Sequence, residues 1–112
     1  MRRVVLALIV VLALAIPTAA SARVRLVSKT SPVNAGSYAT LTASVMPART
    51  CSITVYYKSG PSHAAGLNSK RPRNGRVSWT WKVGTRTTPG RWRIFVSCGS
   101  AGSLNTSFVT KR

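Results

Sequence analysis

Arg76-Val77-Ser78-Trp79-Thr80-Trp81-Lys82-Val83 alternates strictly between polar and apolar residues. Successive side chains of a strand point to opposite faces, so Val77, Trp79, Trp81 and Val83 share one face, and Arg76, Ser78, Thr80 and Lys82 share the other. The same period runs outward in both directions. From Arg91 to Cys98 the apolar set is Trp92, Ile94, Val96 and Cys98, against Arg91, Arg93, Phe95 and Ser97. From Cys51 to Lys58 one face carries Cys51, Ile53, Val55 and Tyr57, and the other Ser52, Thr54, Tyr56 and Lys58. From Tyr38 to Val45 the inward set is Ala39, Leu41, Ala43 and Val45. Shorter strands are expected at Val24 to Ser28 and at Leu104 to Thr110, and helical spacing does not recur. Turn residues separate these runs at Ser31-Pro32 to Gly36, Pro47 to Thr50, Asn74-Gly75 and Pro89-Gly90. Pro89 followed by Gly90 suits a type II turn, with proline presetting the first central φ and glycine accepting the positive second one. Many short alternating strands punctuated in this way predict an all-β protein, an antiparallel sandwich or small barrel of about six strands.

Two cysteines test the phase independently. Cys51 is in step with Ile53 and Val55, and Cys98 with Ile94 and Val96, so both thiols are expected in the core, joined by an inter-strand or inter-sheet disulfide. That pairing presumes an oxidising compartment, which the N-terminus supports. Met1-Arg2-Arg3 precedes an uncharged run from Val4 to Ile16, and Ala20 and Ala22 have the A-x-A spacing of a secretory cleavage site. The run is shorter than the about 20 residues that span a bilayer as a helix. Residues 1–22 are therefore read as a signal peptide and 23–112 as one secreted, extracellular domain.

Ser59 to Gly75 is the one long connection, carrying Gly60-Pro61, His63, Gly66, Lys70, Arg71, Pro72 and Arg73. Connections longer than about 12–15 residues are uncommon and often functional. The alternative is a solvated crossover with a short edge strand near Leu67 to Arg71.

Cys51-Ser-Ile-Thr-Val-Tyr-Tyr-Lys-Ser-Gly-Pro-Ser62, Asn74-Gly-Arg-Val-Ser-Trp-Thr-Trp-Lys-Val-Gly84, and Thr87-Thr-Pro-Gly-Arg-Trp92 with Cys98 resemble the small secreted immunoglobulin-like modules of actinomycete and related bacterial extracellular proteins. The resemblance covers most of Ser28 to Val109. It implies an immunoglobulin-like β-sandwich of about six to seven strands, a disulfide and export, and little about ligand.

Charge is the most unusual feature. Seventeen Lys and Arg face no Asp or Glu, and removing Arg2 and Arg3 with the leader leaves fifteen of the seventeen. Composition thereby excludes a Ser-His-Asp triad, a glycosidase carboxylate pair and a carboxylate-held Mg²⁺ or Ca²⁺ site. A single His63 and two paired cysteines leave too few zinc ligands. The reading is a non-enzymatic protein without cofactor or metal.

What remains is binding. Gly84 to Gly90 is of hairpin length, which predicts neighbouring strands with Arg76, Lys82, Arg91 and Arg93 on one face. Lys70, Arg71 and Arg73 of the long connection extend this basic stripe. Such a stripe attracts polyanions by charge and counterion release, and Phe95 and Tyr56, also outward, can stack on bases or sugars. The expected partner is an anionic polymer such as cell-wall polysaccharide, teichoic acid or extracellular nucleic acid. A structural or adhesive protein-binding module is one alternative. A cationic antibacterial protein is another, although no amphipathic cationic helix is visible.

Overall fold

The computed structural model describes residues 22–112. The signal-peptide reading of residues 1–22 therefore lies outside the described residues, apart from Ala22. Eight strands follow in chain order: β1 (Arg23–Lys29), β2 (Val33–Asn34), β3 (Tyr38–Met46), β4 (Ser52–Tyr57), β5 (Gly60–Pro61), β6 (Arg76–Lys82), β7 (Gly90–Ser97) and β8 (Ser103–Lys111). A 3₁₀ turn at Gly99–Ala101 joins the last two. The six long strands lie where alternation places them. The two additions are two-residue strands, too short to carry a period. No edge strand forms at Leu67 to Arg71; Lys70 alone bridges to Cys51.

The strands form two sheets, β1-β3-β6 and β2-β8-β7-β4-β5, antiparallel throughout except where β2 runs parallel to β8. Taken in chain order, this distribution matches strands A, B and E of an immunoglobulin sandwich facing C, F and G, with β2 and β5 as short additions at the edges. The fold is thus an antiparallel immunoglobulin-like β-sandwich.

Its core fills the space between the sheets. β6 buries Val77, Trp79 and Trp81, and β3 sets smaller residues beside them in register: Ala43 opposite Val77, Leu41 opposite Trp79, and Ala39 opposite Trp81. From the other sheet come Ile53, Val55, Ile94, Val96 and Phe108, all buried. Trp81 meets Phe108 edge-on across the sandwich at 5.8 Å between centroids, a geometry worth about 0.5–1.5 kcal/mol beyond area burial. Both buried indoles are satisfied. Trp79 Nε1 donates to the Asn68 carbonyl at 2.8 Å, and Trp81 Nε1 to the Tyr57 hydroxyl at 3.2 Å.

Cys51 and Cys98 are disulfide-bonded with Cα atoms 4.0 Å apart. They continue the β4–β7 ladder one step beyond the Ser52–Ser97 pair, so the bridge joins neighbouring strands within one sheet. At the open side of the sandwich a bulge between Leu26 and Ser28 sets Lys29 opposite buried Leu41. Lys29 Nζ then reaches across to β8, donating to Thr106 Oγ1 at 2.9 Å and to the Ser107 carbonyl.

Two expectations from sequence need correction. β6 and β7 are not hairpin neighbours; they lie in opposite sheets. Each buries its apolar inner face from its own sheet, β6 beside β3 and β7 between β4 and β8. The chain turns at Gly84–Thr87, with the Thr87 amide donating to the Gly84 carbonyl at 3.1 Å, and crosses between the sheets from there. Pro89-Gly90 is accordingly not a type II turn. Gly90 already pairs with Thr110 as the first residue of β7.

Candidate functional site

Because β6 and β7 belong to different sheets, the predicted stripe is divided. Arg91 and Arg93 stand exposed on the outer face of the five-stranded sheet. Arg76 and Lys82 stand on the outer face of the three-stranded sheet, six residues or about 20 Å apart along β6. Lys70 and Arg73 lie along the free edge of β6. Lys70 Nζ donates to the Ser78 carbonyl at 2.9 Å, and Arg73 bridges Arg76 across the Asn74-Gly75 turn. Arg71 is exposed in the connection beside buried Pro72.

The five-stranded sheet assembles the richer surface. Its register sets Tyr56, Arg93 and Ser107 in one cross-strand row, and Thr54, Phe95 and Asn105 in the next. Arg91 pairs with Val109, and Lys58 lies beyond the last β4–β7 pair, in the turn to β5. All these residues have outward phase, since Val55, Ile94 and Phe108 take the buried one. The Arg93 guanidinium lies over the Tyr56 ring, 4.6 Å from its centroid. Arg91 Nη1 donates to Ser107 Oγ at 3.1 Å. Both arginines are thereby held against the sheet with donors to spare, because a guanidinium carries five N–H groups. Lys58 was not among the residues singled out from sequence, although its phase with Tyr56 marked it as outward.

A cleft of about 530 Å³ opens at the end of this sheet, lined by Tyr57, Lys58, Ser59, Gly84, Arg86, Thr87 and Thr88. The Tyr57 hydroxyl is held above the ordinary tyrosine pKa by burial, partly offset by the hydrogen bond from Trp81. Among the described residues no group of three His, Cys, Asp or Glu side chains converges to hold a metal ion. No helix among them is long and apolar enough to cross a membrane.

No family model matches the chain, and no curated protein does. Among solved structures, the crystal structure of the titin domains z1z2 in complex with telethonin is similar to it, at 18% identity and a TM-score of 0.49. The match covers 82% of this chain and 48% of that one, so the chain spans about half the length of that neighbour.

Proposed function

We propose that this protein is a secreted, non-enzymatic binding module that holds an anionic extracellular or cell-surface polymer on the outer face of its five-stranded sheet. The observation carrying this reading is Arg93 stacked on Tyr56, with Arg91 and Phe95 two residues to either side along the outward face of β7, in a chain without Asp or Glu. Flat cations and aromatic rings alternate there. A polymer with regularly spaced charges and intervening rings, as in acidic polysaccharide or single-stranded nucleic acid, meets charge with the first and stacking with the second. Teichoic acid supplies the charge without the rings. The apolar leader and the Cys51–Cys98 disulfide support an extracellular setting.

The test is the salt dependence of affinity for a single-stranded oligonucleotide or an acidic polysaccharide, with Arg91→Gln/Arg93→Gln beside the parent. Each lost contact to single-stranded nucleic acid removes about 0.7 from the slope of log K against log salt, so the double variant should bind more weakly with a slope shallower by roughly 1.4. An unchanged slope removes this face from the reading.

A further inference from the structure

The opposite sheet carries a second basic constellation. β1 pairs Arg25 with Ser44, and β6 pairs the same Ser44 with Arg76, so the three residues form one row across three strands. All three face outward, because the neighbouring Ala43 and Val45 are buried. Arg23 stands opposite Met46 one outward position further along, and Arg73 lies beyond Arg76 across a two-residue turn. That turn has φ of 52° at Asn74 and 78° at Gly75, the left-handed pair for which Asn-Gly is the preferred sequence. Arg23, Arg25, Ser44, Val45, Met46 and Gly75 line a groove of about 340 Å³, and Arg76, which follows Gly75 and pairs with Ser44, stands at its margin and not in its lining.

Like charges set opposite one another in a sheet are destabilising, and here Arg73 faces Arg76, with Arg25 two strands further on. The chain has no Asp or Glu to relieve them. Among the described residues the arginine side chains that hydrogen bond within the protein are those of Arg49 and Arg91, elsewhere on the molecule. At a strand spacing of about 4.8 Å, Arg25 and Arg76 stand about 10 Å apart at Cα. Both side chains can therefore close over the Ser44 hydroxyl from either side.

We propose that this groove is a distinct anion site for a tetrahedral dianion, a phosphoryl group, gripped between the Arg25 and Arg76 forks with Ser44 donating from below. A carboxylate has only two oxygens, both in one plane, and one bidentate guanidinium fork already engages both. A phosphoryl group offers three unesterified oxygens on different sides, and so accepts two forks and a hydroxyl together. Arg23 and Arg73 supply charge at the rim. The site stands on its own geometry, independent of the polymer-binding face.

Free phosphate and a phosphate monoester share this chemistry and are the two probes. The purified protein is titrated with inorganic phosphate, glycerol phosphate and acetate at constant ionic strength, followed by amide chemical shifts. Saturable shifts are expected at Ser44, Met46, Gly75 and Arg76 with either phosphate, and none with acetate. Tighter binding of glycerol phosphate assigns the groove to an ester, and tighter binding of inorganic phosphate to the free ion. Arg25→Gln/Arg76→Gln should weaken phosphate binding at least tenfold. Lys82→Gln, on the same face, and Arg91→Gln/Arg93→Gln, on the other sheet, should leave it unchanged. The Trp79 and Trp81 indole resonances report that each variant keeps its fold. Shifts spread over both sheets, acetate binding as tightly, no saturation with either phosphate, or equal weakening in all three variants would overturn the site.

Discussion

Tyr57 is half-buried at the end of β4, in edge contact with Trp92 and Phe108, and its hydroxyl accepts the Trp81 indole N–H. Trp81 is 1% exposed, and that hydroxyl is the acceptor its N–H has. Tyr57→Phe should therefore cost about 1–3 kcal/mol near neutral pH, the penalty of a buried donor left unpaired. Burial holds the folded-state pKa above the unfolded value of 10.0. As pH rises past 10 the unfolded chain releases this proton first, so the contribution is intact below 10 and is lost as pH climbs through the folded pKa. In denaturation followed by tryptophan fluorescence, the stability difference between the parent and Tyr57→Phe should be constant below pH 10 and shrink above it. At this scale, phase along the strand was enough to place Arg93 outward and Trp81 inward. Which partner each would meet was not legible, because the Arg93–Tyr56 stack and the Trp81–Tyr57 bond both depend on pairings between strands far apart in the chain.

The long connection from β5 to β6 is fixed to its neighbour at Gly66. Its φ is +97°, and a Cβ built there would lie 2.0 Å from the Thr80 carbonyl oxygen of β6. Backbone cannot yield to that overlap as a side-chain tip can. Gly66→Ala should lose about 1–3 kcal/mol from the left-handed conformation alone, with the clash added, and thermal denaturation should show a correspondingly lower Tm. A Tm equal to the parent's would mean that the connection is not seated on β6. The same segment gives Trp79 its acceptor at Asn68 and caps the free edge of β6 with Lys70, so it serves as an edge cover. Strand positions were readable because each long strand keeps period two across its length. The pairing of β6 with β7 was misread because connection length does not distinguish a hairpin from a crossing between sheets. What decides it is the partner each strand takes: β6 pairs with β3, whose small residues fit beside the tryptophans, and β7 pairs with β4 and β8. The groove beside Arg23 and Arg25, with Arg76 at its margin, was hidden for a related reason, since it joins strands distant in sequence.

For the molecule as a whole, the fifteen Lys and Arg of the described residues, without an Asp or Glu among them, leave a sandwich whose two outer faces repel one another and themselves. Hydrophobic burial, the disulfide and the Lys29 tie between sheets hold it against that repulsion. Screening at about 10 Å in 0.1 M salt and about 3 Å in 1 M governs both its stability and its association. Net charge was fully legible in the sequence, whereas its division between two opposite faces required the sheet topology. A charge so high binds any polyanion to some degree, so arrangement must be separated from amount. The direct measurement is salt elution of the purified protein from a sulfated polysaccharide column beside a plain cation exchanger of matched charge density. Arginines arranged to recognise a polymer predict later elution from the polysaccharide, with Arg91→Gln/Arg93→Gln losing that excess retention. Equal elution from the two columns would contradict the account and leave net charge alone as the cause of binding.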